Sequence, residues 1–109
     1  MTASLKVLGQ VVPAVTTLTD LYTVPSATST TVSTLNICNQ NNAIVNVRVS
    51  VAVAGAADDP KQYILYNCQL SAYDSFSLTI GMTLAATDKI RVYSDTANVS
   101  FNVFGVENS

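Results

Sequence analysis

From residue 45 to residue 53 valine occupies every second position, in the run VNVRVSVAV. A helix with about 3.6 residues per turn would scatter these valines around its circumference. A strand, whose successive side chains point to opposite faces, collects them on one side. The other face then carries Asn46, Arg48 and Ser50. A strand apolar on one side only needs a second apolar layer to cover it, and two packed sheets would supply one.

The rest of the chain repeats the pattern. Residues 4–12 (SLKVLGQVV) read as a first strand, with Gly9 placed as a bulge and Pro13 as its stop. Residues 16–24 form a second, ended by Pro25, and the β-branched run at 30–38 (TTVSTLNIC) a third. The polar turn Asn39, Gln40, Asn41, Asn42 joins it to the valine strand and reads as the turn of a hairpin. Residues 54–61 form a loop, 62–70 a strand, and 75–80 a strand with Phe76, Leu78 and Ile80 on one face. Residues 81–88 read as a connection in which TLAATD can form at most one helical turn. Strands at 89–93 and 98–106 follow; the last turns Val99, Phe101 and Val103 inward, and Phe104 falls on the opposite parity.

About eight strands separated by turn residues every ~8–12 positions define an all-β chain. The expected fold is a single β-sandwich of antiparallel strands spanning residues 1–109 as one domain, with residues 1–10 as an N-terminal arm or an edge strand. A jelly roll and an immunoglobulin-like sandwich both hold this many strands. The chain has no tryptophan for its two cysteines to frame, which counts against a true immunoglobulin domain. A jelly-roll-like sandwich is expected.

Charged residues make up 11% of the chain, against a typical ~25%. The hydrophobic share is 49%. A lone monomer so poorly charged is weakly protected against association, so much of the surface is expected to be covered by neighbours. The five basic residues are scattered and outnumbered by seven acidic ones, so no nucleic-acid partner is expected. No apolar run reaches the ~20 residues of a membrane helix, and no membrane partner is expected. The N-terminal MTASLKVLGQ lacks the apolar core of a secretory signal, so Cys38 and Cys68 are expected to be free thiols packed as small hydrophobes.

Histidine is absent, which removes the commonest general base and the usual partner of a serine or cysteine nucleophile. Asp58 and Asp59 are adjacent in a loop, and Asp20, Asp74, Asp88 and Asp95 sit at or near turns, where aspartate bonds nearby backbone. No EF-hand loop, phosphate-cradling glycine motif or metal-ligand spacing is present. Tyr22, Tyr63, Tyr66, Tyr73 and Tyr93 are expected in core or interface; Tyr63 and Tyr66, on opposite faces of a regular strand, cannot line one sugar-binding platform. No enzyme activity is expected, with no catalytic, cofactor-binding or metal residues and no cofactor.

Three stretches, LGQVVPA (8–14), LYTVPSATSTTVSTLNICN (21–39) and TLAATDKIRVYSDTANVSFNVFGVE (83–107), together resemble small structural proteins of tailed bacteriophages. The resemblance spans most of the chain and rests on fold-forming runs, so no site residues carry over. It implies a small β-sandwich or jelly roll in the virion, assembled in the bacterial host cytoplasm, that binds other virion proteins, above all the major capsid protein. Capsid decoration (cement) proteins of this kind are often homotrimers seated where shell subunits meet. The alternative it implies is a tail, baseplate or fibre-associated sandwich, including one that binds host-surface carbohydrate.

Overall fold

In the computed structural model, which describes residues 2–109, alternating stretches become strands and the turn residues between them reverse the chain. Among the described residues there are nine strands: β1 (Ala3–Val11), β2 (Thr19–Thr23), β3 (Ser29–Asn39), β4 (Val45–Ala52), β5 (Tyr63–Leu70), β6 (Ser75–Leu78), β7 (Met82–Leu84), β8 (Lys89–Ser94) and β9 (Val99–Asn108). β7 lies where the sequence reads as a connection. Its three residues are too few for periodicity to register, but Thr83 pairs with Thr31 of β3, and the chain then turns at residues 85–88, where the Asp88 N–H donates to the Ala85 carbonyl at 3.1 Å.

Two antiparallel sheets face each other. One has the order β1-β9-β3-β6, with β7 also paired to β3; the other has the order β2-β8-β4-β5. Both halves of the chain thread both sheets, so strands distant in sequence become neighbours. The expected hairpin between β3 and β4 is not formed, because the two strands lie in opposite sheets. The Asn-rich turn carries the chain across the sandwich instead. The valine face therefore meets β3 across the core rather than lying beside it.

The inner faces close on each other. Leu35, Ile37, Phe101 and Val103 from the first sheet and Val45, Val47, Val49, Ile90 and Val92 from the second are fully buried. Burial of this kind is worth about 1.5–3 kcal/mol per side chain. The sheets approach closely at the start of the chain, where β1 carries a bulge between Val7 and Gly9, as the sequence leads one to expect. A Cβ at Gly9 would stand 2.3 Å from the Leu21 carbonyl oxygen on β2, so only glycine fits. Cys38 and Cys68 are free, on strands of opposite sheets.

Two polar clusters tie the layers where the apolar core ends. Asn39, fully buried at the end of β3, donates from its side-chain amide to the Ala43 and Ser71 carbonyls, each at 2.9 Å, and accepts from the Asn41 N–H. This pins the crossover to the turn after β5. At the opposite end Tyr22 of β2 donates to Glu107 of β9 at 2.5 Å and accepts from the buried Thr30 hydroxyl of β3. Lys6 of β1 completes the cluster with an ion pair to Glu107 at 2.6 Å. Lys6 first, and then Tyr22, holds the Glu107 carboxyl below its ordinary value. Burial, and then the bond to Glu107, pushes the Tyr22 phenol up to about 12.

Asn39→Ala will leave buried carbonyls without donors and is expected to cost about 2–4 kcal/mol in urea unfolding. Tyr22→Phe is expected to cost about 1–2 kcal/mol at neutral pH. The unfolded phenol ionises near 10 and the folded one near 12, so the Tyr22 contribution is complete below pH 10 and is lost as pH rises through 12. The stability gap between wild type and Tyr22→Phe, followed by urea unfolding at rising pH, should shrink across that window.

Candidate functional site

The sandwich presents two outward faces of different chemistry. The first belongs to β1 and β9. Past the bulge the side chains of β1 change register, and Leu5 and Val7 point outward, paired across the ladder with Val106 and Phe104. Leu5 is 80% exposed and Val7 50%. Phe104, which broke the inward parity of its strand, thus sits on the outer surface beside Val7. Val12 and Val15 continue the exposed apolar run beyond the strand. β1 is an edge strand, bonded on one side to β9, so its other side offers free N–H and C=O groups. Its one charged residue, Lys6, is committed to Glu107. Edge strands are normally guarded by charge, proline or cover; this one is long, apolar and nearly uncharged.

The second face is the outside of the β2-β8-β4-β5 sheet. Ser50 and Ala52 point to this side yet are fully buried, contrary to the solvent-facing position their parity implies. The reason is the segment from Val53 to Gln62, two short 3-10 turns that fold back over the sheet. Arg91 holds it down, donating to the Ala56 carbonyl at 2.6 Å and the Gly55 carbonyl at 3.1 Å. Asp88 accepts from the Ala54 and Ala85 N–H groups. Asp20 sits within β2, not in a turn, and pairs with Lys89 at 2.8 Å and Arg91 at 3.3 Å. Chiefly through Lys89, its carboxyl is held below the ordinary value. Of the adjacent loop aspartates, Asp59 caps the second 3-10 turn through the Lys61 N–H, while Asp58 turns toward Tyr63.

Beside this segment Asp58, Pro60, Tyr63, Tyr66 and Arg48 enclose an open cleft of about 400 Å³. The Arg48 guanidinium lies 4.3 Å from the ring centre of Tyr66 and 4.4 Å from that of Tyr93, and its Nε donates to Asn67 at 2.8 Å. Among the described residues the ion pairs involve Lys6, Lys89 and Arg91, so Arg48 has no carboxylate partner. Tyr63 and Tyr66 meet edge to face, with ring centres 5.1 Å apart and planes at 82°. Burial, and then Asp58, raises the Tyr63 phenol. On the far side of Arg48, burial pushes the Asp95 carboxyl up, but hydrogen bonds from Asn46 and Thr96 outweigh it and the net shift is downward.

The shared side of Tyr63 and Tyr66 corrects the sequence reading, and bulges are the cause. β5 is one residue longer than β4 between the pairs Ser50↔Tyr63 and Val49↔Leu65, and longer again between Val49↔Leu65 and Val47↔Cys68. The first extra residue puts both tyrosines outside with Leu65 inward. The second, at Asn67 with φ 52°, returns Cys68 to the core side. Sequence parity missed Arg48 and Asp58 as partners of these rings for the same reason; asparagine, tolerant of left-handed angles, was the available signal. Among the described residues no three histidine, cysteine, aspartate or glutamate side chains gather at a metal-binding distance.

No protein-family model matches the chain. No curated protein matches it either. Among solved structures it is similar to a pentameric capsid protein isolated from metagenomic phage sequences, at 19% identity and a TM-score of 0.35, over 93% of this chain. The chain spans 61% of the length of that one. Likeness at that level assigns no function, which has to come from this chain's own surfaces.

Asn67→Val should cost about 1–2 kcal/mol in urea unfolding, because a β-branched residue resists a left-handed backbone, whereas Asn67→Gly should stay within about 0.5 kcal/mol of wild type.

Proposed function

We propose that this chain is a non-enzymatic structural protein of a tailed-phage virion, acting as a capsid decoration protein that stabilises the head by bridging capsid subunits. The observation that carries this reading is the unguarded apolar edge of β1, where Leu5 and Val7 stand open beside Phe104 and Val106. The edge offers a partner two things at once: a ladder of backbone donors and acceptors, and an apolar face to cover. The sequence resemblance to small tailed-phage structural proteins supplies the virion context, with the major capsid protein as partner and a homo-oligomer, a trimer at subunit junctions, as the attached form.

The mechanism is linkage. A protein that binds the assembled shell and not its free subunits stabilises the shell, and modest contacts repeated by symmetry add up. Chemistry at a reacting centre plays no part. Residues 3–10 are too closely built into the first sheet to be cut away cleanly, since they pair with β9 and Leu8 also packs on the core. Substitution on the outward side is the sharper probe.

The double variant Leu5→Glu, Val7→Lys keeps the net charge and touches no core side chain. It should unfold within about 0.5 kcal/mol of wild type yet bind purified shells on the order of tenfold more weakly in a cosedimentation assay. Undiminished binding would remove β1 as the attachment face. Copy counting in purified particles tests the head assignment: hundreds of copies per virion mean shell, and a few dozen or fewer mean tail.

A further inference from the structure

The cleft on the outside of the second sheet is not used by the attachment just described, and its chemistry points elsewhere. We propose that Arg48, Asp58, Pro60, Tyr63 and Tyr66 form a binding site for a neutral sugar ring. The inference does not rest on the shell-binding reading, because the cleft and the β1 edge lie on opposite sheets.

Four features argue for this ligand. The cleft, about 400 Å³, is at the small end of the ~300–1,000 Å³ range of ligand pockets. Its aromatic rings meet as a corner at 82°, not as a parallel slot. A flat aromatic ligand prefers parallel faces, whereas a puckered pyranose presents C–H groups on more than one side and can lean on Tyr66 and Pro60 together. Polar groups of both kinds converge there. The terminal nitrogens of Arg48, which has no carboxylate partner, are donors, and the Asp58 carboxylate is an acceptor, the pair that adjacent sugar hydroxyls require. Finally, the site is built in advance. Arg48 is held between Tyr66 and Tyr93 and by Asn67, and Tyr66 remains 61% exposed despite that stacking. Preorganised side chains lose little freedom on binding. Asp58 in the wall and the chain's net charge of -2 disfavour an acidic ligand.

The test is titration of the intact protein with glucose, galactose, mannose and N-acetylglucosamine, and with glucuronic acid as the anionic comparator, followed through backbone amide NMR shifts. At least one neutral sugar should move the amides of Arg48, Asp58, Tyr63, Tyr66 and Tyr93 and leave those of β1 and β9 in place. Tyr66→Ala should weaken that binding by about tenfold or more, as should Arg48→Lys, which keeps the charge but loses the planar fork. Tyr66 is exposed, so its variant should retain the wild-type spectrum elsewhere and full binding to shells. The proposal is overturned if none of the four neutral sugars shifts these amides, if glucuronic acid binds more tightly than all of them, or if Tyr66→Ala binds as wild type does. Failure of shell binding in the β1 variant leaves this result untouched, and the reverse also holds.

Discussion

Each strand of this protein has one apolar face, and that face is stable only against the opposite sheet. A single sheet would leave Leu35, Ile37 and Phe101, or Val47, Val49 and Val92, in water; pressed together they exclude it. With no α-helix among the described residues to cover either sheet, the seal between layers is the protein's main source of stability. Everything that joins the layers serves that seal: Asn39 at one end, the Tyr22, Glu107 and Lys6 cluster at the other, and the crossing turns between them.

A strict two-residue alternation would give two uniform outer faces. Bulges break that uniformity. One in β1 lets Leu8, Gly9 and Val11 face inward while Leu5 and Val7 face out; two in β5 bring Tyr63 and Tyr66 to one side. An inserted residue shifts every side chain on one side of it to the other face, so a local irregularity of the backbone redistributes surface chemistry without disturbing the core. Both surfaces to which a role is assigned here lie next to such an irregularity. The sparse charge has the same consequence: β1 carries one charged residue, Lys6, and with it paired to Glu107 little charge on that strand keeps the apolar edge apart from a neighbour.

Much of the fold was legible from particular residues. The valines of β4, the Phe76 and Leu78 pair and the Val99, Phe101 and Val103 run announced strands and their inward sides, because period-two alternation is a local property. The outlying parity of Phe104 set it apart from the inward side of that run. What local pattern could not show was partnership. The Asn39 turn has the composition of a hairpin, and whether it reverses the chain within one sheet or passes to the other depends on the Ser71 and Ala43 carbonyls it reaches. Ser50 looked solvent-facing because the segment that covers it becomes its neighbour through Arg91, distant in sequence.

The sequence by itself determined that this chain is an all-β, two-layered sandwich with few charges and no histidine, since composition and side-chain alternation act residue by residue. The tertiary structure alone decided which strands are neighbours, where the edge lies open, and that Arg48, Tyr66 and Tyr93 stack. Those outcomes depend on register, and register is set jointly by both strands of a pair and by every extra residue between them.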